Sequence, residues 1–345
     1  MPEPRSMKAL IVKHDGLAES RGGTGIDSLE PYLDYTSVPV PEPRAGQVLV
    51  RMRMASVNPS DIYFIKGEYG QPRVKGQPAG FEGVGDVVGG KGLYAAWLKG
   101  KRVAFVGGVS GSGAWADYIV VPASQCEVVK SAMRDEDAAG HVVNPVTAWT
   151  MFDIVRKSKN KSFVFTAANS QLGKLMAGLA RDHGICMIGV IRKESQAAHL
   201  KDLGAKHVLV QTEDGFAKEF ATLAASEKPR ILLDAVADQT SADLFTAMPS
   251  RARWIIYGWL ASTAPTLHQP GQFIFMDKKL EGYWLAKWFR QASIVEKLRT
   301  LRGVQDRFIS GAWKTEVSAT IRLADAVRDL PAALERGDGK VMLVP

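Results

Sequence analysis

Cysteine is almost absent: the 345-residue chain has two, Cys126 and Cys186. They stand far apart and in no Cys-x-x-Cys pair, which excludes a disulfide framework and a four-cysteine zinc lobe. Reduced thiols in a cytoplasm are the expectation. No apolar run approaches the ~18 residues of a spanning helix, and residues 1–6 have no apolar segment of the signal-peptide kind. There is no internal repeat, no low-complexity tract and no nucleic-acid-binding signature. The formal charge is +8, but Lys and Arg are dispersed, which suits solubility and attraction for a polyanionic cofactor or thioester better than nucleic acid. The run Val106-Gly-Gly-Val-Ser-Gly-Ser-Gly113 is glycine-rich, yet no Lys-Ser or Lys-Thr follows, so it is read as a loop between strands.

What is present is the composition of an ordinary globular protein, 46% hydrophobic and 23% charged, in a chain long enough for two domains of roughly 150 residues each. Up to about residue 130, short strands at 9–12, 48–54, 84–88, 102–106 and 116–121 are broken by Gly and Pro, which predicts a β-rich, barrel-like domain. From Ser162 the period changes. A strand at 163–166 passes through small residues into an apolar-periodic helix (Leu172, Leu175, Met176, Leu179, Ala180) and a strand at 186–191. Helices at 195–203, 215–225 and 240–248 then alternate with strands at 207–210, 230–235 and 254–257. Such alternation predicts a doubly wound parallel sheet, hence an α/β protein with a Rossmann cofactor domain. The expected boundaries are residues 1–130 for the first domain, 131–284 for the Rossmann domain, and a return of 285–345 to the first. After Pro270, the segment 273–277, a strand at 280–285 and one basic amphipathic helix to about 302 complete the reading, with a closing segment at 340–344.

The turn Thr166-Ala-Ala-Asn-Ser-Gln-Leu-Gly173 lacks a strict GxGxxG but keeps small residues at Ala167, Ser170 and Gly173. A tight turn there would bring backbone N–H groups and a helix N-terminus onto a pyrophosphate, the last Gly allowing helix and strand to pack closely. Asn169, Ser170, Gln171, Leu172 and Gly173 are therefore cofactor candidates, with Asn169 or Ser170 as helix cap. The second strand ends Val190-Ile-Arg-Lys-Glu194. Where NAD enzymes place an acid for the ribose 2′-OH, Arg192 and Lys193 supply cations suited to a 2′-phosphate, favouring NADPH over NADH. The alternative is a solvated basic helix start. Tyr257, at the end of the last alternating strand, completes this group.

Four segments carry a family resemblance: Val57-Asn-Pro-Ser-Asp-Ile-Tyr-Phe-Ile-Lys-Gly-Glu-Tyr-Gly70, Gly80-Phe-Glu-Gly-Val-Gly85, Asn144-Pro-Val-Thr-Ala-Trp149 and Phe273-Ile-Phe-Met-Asp-Lys-Lys-Leu-Glu-Gly-Tyr-Trp-Leu285. With Leu203-Gly-Ala205 they resemble, over nearly the whole chain, the zinc-independent branch of the medium-chain dehydrogenases/reductases that holds quinone oxidoreductases and 2-enoyl thioester reductases. The resemblance implies a GroES-like catalytic domain beside the Rossmann domain, and a homodimer paired through the 280–285 strand. The zinc-ligand positions of the alcohol dehydrogenases match Asn58, Phe81 and a position near Val143. No catalytic zinc is therefore expected, and the chemistry implied is delivery of hydride to a conjugated acceptor rather than alcohol oxidation.

In the resembling enoyl reductases the residue matching Tyr69 hydrogen-bonds the substrate or supplies the proton, so Tyr69 is the first catalytic candidate; the alternative is a packing lid. Asn58, in the place of a metal ligand, is expected to orient substrate or cofactor, or alternatively to hold its loop. Asp61 is read as a cap. Asn144 and Thr147 become candidates for nicotinamide contacts, and Phe275 and Trp284 for walls of the nicotinamide or acyl site, against plain core packing. A lone His141 is read as structural. The implied function is NADPH-dependent reduction of an activated C=C in an enone, enal or enoyl thioester. Quinone reduction is the near alternative, and a noncatalytic dinucleotide sensor or scaffold the distant one.

Overall fold

The computed structural model describes residues 5–19, 22–23, 25–107, 113–337 and 339–345. In chain order come β1 (Ser6–Val12), β2 (Leu33–Pro39), β3 (Gln47–Ser56), α1 (Pro59–Lys66), β4 (Glu82–Gly90), α2 (Leu93–Leu98), β5 (Arg102–Val106), β6 (Tyr118–Pro122), β7 (Glu127–Val128) and α3 (Asp135–Ala139). They are followed by α4 (Val143–Lys157), β8 (Ser162–Phe165), α5 (Gln171–Asp182), β9 (Cys186–Ile191), α6 (Ala197–Leu203), β10 (His207–Val210), α7 (Phe216–Glu227), β11 (Ile231–Asp234), α8 (Gln239–Ala247) and β12 (Arg253–Ile256). The last elements are α9 (Gly271–Phe275), β13 (Lys279–Gly282), α10 (Leu285–Gln291), α11 (Ile294–Ile309), β14 (Val317–Arg322), α12 (Ala326–Arg336) and β15 (Lys340–Val344).

These elements form two compact units, Met1–Asn144 with Leu301–Pro345, and Pro145–Thr300. The divisions fall later in the chain than the expected 130/131 and 284/285, because they run through α4 and α11. A helix that continues from one unit into the other has no Gly- or Pro-rich linker to mark the change.

The first unit is built on a seven-stranded sheet in the order β14-β15-β3-β4-β5-β7, with β6 also paired to β3, and on a separate β1-β2 pair. Strand β3 is its spine, antiparallel to β4, β6 and β15. Register shifts between Leu49 and Val50 and between Met52 and Met54 bend it, as bulges do. Its core gathers Leu10, Leu29, Leu33, Ile62, Phe105 and Trp115, all fully buried. The glycine-rich run read as a loop lies, over 108–112, outside the described residues.

The second unit is a six-stranded sheet in the order β10-β9-β8-β11-β12-β13, parallel throughout. This is the Rossmann order, reversing between β8 and β11. Every residue of β8, β9 and β11 is buried, which explains their continuous apolar runs, since helices cover both faces. Past Pro270 the structure departs from expectation. Residues 271–275 are the short helix α9, β13 ends at Gly282, and Leu285 already begins α10. The single basic helix expected to 302 is two helices, α10 and α11. Ala292 turns extended after α10, and Ser293 Oγ accepts the Glu296 N–H at 3.2 Å, so a serine cap starts a second helix where charge periodicity alone suggested one.

Candidate active site

In the first unit, Pro59 opens α1 directly after Asn58, where its missing N–H costs nothing. Asp61 on the first turn accepts from the Asn58 N–H at 2.7 Å and the Phe81 N–H at 2.8 Å, tying the helix start to the start of β4. Burial pushes the Asp61 carboxyl up to about 7, against those two N–H bonds and the charge of Lys340, which pull it down. Asn58 is buried, and its side chain is committed within the protein. Nδ2 donates to Glu82 Oε1 at 2.8 Å and Ser56 Oγ at 3.1 Å, and Oδ1 accepts from Lys340 Nζ. Glu82, also buried, accepts in addition from Ser56 Oγ and from the N–H groups of Val142 and Val143. Burial lowers Lys340, while Glu82 and Asp61 oppose that shift.

Two of the three positions expected to match metal ligands, Asn58 and Val143, thus converge on Glu82, the neighbour of the third, Phe81. An ammonium bonded to Asn58 is the cation at this point. The Phe81 ring packs in the core beside them, 5.1 Å from Phe64 and 5.2 Å from Tyr69 between ring centroids. Tyr69 is half-buried on the edge of the core and sits on a firmly held loop. Gly67 ends α1 at φ +81°, where a Cβ would stand 2.5 Å from Arg73 Cζ. The Arg73 guanidinium, itself buried, donates to the carbonyls of Asp15, Gly16 and Ile65. His141 is fully buried and bonded to Glu127 at 2.7 Å.

In the second unit, the carboxyl ends of the strands share one edge, as parallel pairing requires. After β8, Ala167 takes φ +48° and Ser170 caps α5, its Oγ accepting the Gly173 N–H at 3.2 Å. A Cβ on Gly173 would lie 2.2 Å from the Ala168 carbonyl oxygen, so this glycine is what lets helix and turn meet. Asn169, Ser170 and Gln171 are half-exposed at the helix start, with Leu172 buried behind them. Asp234, at the end of β11, locks the switch point. It accepts from Thr166 Oγ1 at 2.5 Å, Ser241 Oγ at 2.9 Å, Trp254 Nε1 at 2.8 Å and the N–H groups of Val236 and Ala237. Just past β12, the Tyr257 hydroxyl is buried with no hydrogen-bond partner among the described residues, and burial first, then Asp234, holds its pKa well above the usual value. Arg192 and Lys193 follow β9 on this edge, both exposed.

The other candidates are scattered. Asn144, half-buried, and Thr147, buried, occupy the first turn of α4. Phe275 is 85% exposed on α9, and Trp284 stacks under the Arg290 guanidinium at 4.9 Å. The residues present suit a dinucleotide: a helix start able to face phosphates, a glycine packed without room for a Cβ, an orphaned hydroxyl at the same edge, and two exposed cations after β9.

Two family models match the chain: the alcohol dehydrogenase GroES-like domain over residues 44–131, and the zinc-binding dehydrogenase domain over residues 172–300. A crystal structure of a candidate NADPH:quinone reductase from Mesorhizobium loti is 46% identical, covers 100% of both chains and superposes with a TM-score of 0.96. The chain belongs to the medium-chain dehydrogenase/reductase family. It falls in the zinc-independent quinone and enoyl reductase branch. The mitochondrial enoyl-[acyl-carrier-protein] reductase of Dictyostelium discoideum is 31% identical over 72% of this chain and 72% of its own length. That of Bos taurus is 28% identical over 84% and 76%.

Within this branch, three residues that matter were not singled out in the sequence. Glu82 was visible only as the third letter of the Gly-Phe-Glu segment. Lys340 meets Asn58 across 282 positions, and Asp234 closes an ordinary-looking apolar strand. A buried acid at the end of such a strand is the one sequence signal among them, since an acid is almost never fully buried without partners.

Proposed function

We infer that the protein is an NADPH-dependent reductase of an activated C=C bond in an enone, enal or enoyl thioester. The observation that carries this reading is Tyr69, a phenol on a loop pinned at Gly67 and Arg73, in a unit where the positions matching metal ligands hold Phe81, which cannot bind a metal, and Asn58, which is committed to a buried network with Lys340 and Glu82. NADPH, when bound, supplies the hydride. The residues that would hold it are the α5 start at Asn169–Gly173 toward the pyrophosphate, Arg192 and Lys193 toward the 2′-phosphate, and Tyr257, Asn144 and Thr147 toward the nicotinamide. Tyr69 offers a phenolic O–H, a group that can donate a hydrogen bond. It donates a hydrogen bond to the carbonyl oxygen on which negative charge builds and is the proton source for the reduced alkene. Asn58 acts through its neighbours, holding α1 against Glu82 and so fixing where the Tyr69 loop begins.

The test is turnover of enones, enoyl thioesters and quinones with NADPH and NADH. Tyr69→Phe should slow alkene reduction on the order of 10²-fold while sparing an easily reduced quinone, which needs no such proton in the same step. Equal loss on both acceptors would remove Tyr69 from this role. Quinone reduction by the same residues is the second reading, favoured by the Mesorhizobium relative. It is the conclusion if quinones alone turn over.

The assembly we propose is a homodimer paired through β13, the edge strand of the Rossmann sheet. Leu280 on that strand is 47% exposed, and Ile274 and Phe275 beside it in the chain are more so. An edge strand that exposes a large apolar side chain offers its open backbone groups and that side chain to a partner strand. No helix among the described residues is long and apolar enough to cross a membrane. We place the protein in the cytoplasm on its two buried free thiols; recovery in an organelle fraction would overturn that placement.

A further inference from the structure

The opposite edge of the Rossmann sheet, at the amino ends of its strands, carries a second constellation. Cys186 opens β9, His207 opens β10 and Glu227 closes α7. His207 stands opposite Ile188 in the parallel register, and Cys186, two residues earlier, shares the sheet face of Ile188 and therefore of His207. Helix α7 ends at this point. A thiol, an imidazole nitrogen and a carboxylate oxygen come to lie within 4.8 Å of one another, the one such group of three His, Cys, Asp or Glu donors among the described residues.

We propose that Cys186, His207 and Glu227 bind a single divalent cation of the zinc class, leaving one coordination position to solvent. The donor set decides the class: thiolate with imidazole selects zinc-like ions, whereas magnesium and calcium take all-oxygen shells. The spacing is close to closure. Ligand atoms about 2.0–2.3 Å from a tetrahedral ion lie roughly 3.3–3.8 Å apart, and His207 Nε2 is already 3.0 Å from Glu227 Oε1. Glu227 is the last residue of a 12-residue helix, where the backbone dipole favours a cation. Ser162 Oγ, donating to the Glu227 carbonyl at 2.6 Å, fixes that helix end to the sheet. Cys186 is buried while the other two are half-exposed, so an ion enters from the solvent side. As the metal–sulfur bond forms, the Cys186 S–H proton leaves to water, and no redox change is involved.

One group already answers the negative charge here. Lys206 Nζ lies 2.8 Å from Glu227 Oε1, with its side chain 57% exposed. It competes with the cation and can swing into water when displaced. The ion would staple β9, β10 and α7 together, far in the sheet from the cofactor turn and apart from any hydride chemistry.

Full-length protein stripped with a chelator and dialysed against Zn²⁺ should retain one equivalent by elemental analysis. Cys186→Ser and His207→Ala should lose it, and Cys126→Ser should keep it. Far-UV circular dichroism and NADPH binding check that each variant is folded. Should the ligand variants fail to fold, two readouts on folded protein decide. Co²⁺ added to the wild type should give a thiolate-to-cobalt charge-transfer band with tetrahedral d–d absorption, and Lys206→Ala should tighten Zn²⁺ binding several-fold. Absence of stoichiometric metal, the same metal content in folded Cys186→Ser, no charge-transfer band, or unchanged affinity in Lys206→Ala would each overturn the site.

Discussion

At Lys340 one buried ammonium faces the charges of Glu82 and Asp61 while bonding Asn58. It is the cation of a site whose other members are acids and amides. Lys340→Met removes the donor to Asn58 Oδ1 and the cation near the buried Glu82 and Asp61, and leaving a buried charge uncompensated costs about 3–5 kcal/mol. Urea unfolding should show a loss of that order. Arg192 is the opposite case, an exposed cation for which no ion pair is found among the described residues. Its replacement should leave stability within about 0.5 kcal/mol. If it meets the 2′-phosphate, Arg192→Ala weakens NADPH by about 1–3 kcal/mol and NADH hardly at all, measured by fluorescence titration of both.

Among the elements, the β8–α5 turn concentrates the cofactor argument. Its small residues were readable as a pattern; what they do required the backbone. Ala167 adopts a positive φ, and Gly173 has the Ala168 carbonyl 2.2 Å from where a Cβ would be. Gly173→Ala must therefore push α5 off the turn, at about 1–3 kcal/mol for overpacking, and NADPH affinity should fall with melting temperature. A variant of normal stability and normal affinity would show that the close approach is dispensable. Elements differ in how readable they were for a physical reason. Strands β8, β9 and β11 are buried on both faces and stand out as apolar runs between helices. Strands β2 and β14 are mostly exposed or half-exposed, so neither carries a continuous apolar run of that kind. The split between α10 and α11 hid inside a continuous basic pattern because one serine cap is a weak signal beside many charges.

At the scale of the whole molecule, the edge strand β13 is the feature that leads outward. Leu280→Lys, next to Lys279, would set like charges across a strand pair related by a two-fold axis, and light scattering should report a shift from dimer to monomer. A monomeric wild type would end that proposal directly. The sequence by itself determined the two-part α/β organisation, the Rossmann alternation and the loss of catalytic zinc ligands. Each of these is written in local period or in the identity of a single residue. Only the tertiary structure decided that Asn58 is held by Glu82 and Lys340, that Asp234 ties four elements at the switch point, and that Phe275 points away from any core. Those facts depend on side chains up to 282 positions apart meeting in one buried place, and burial, which sets both the cost of a charge and its need for a partner, is a property of the folded chain and not of its order.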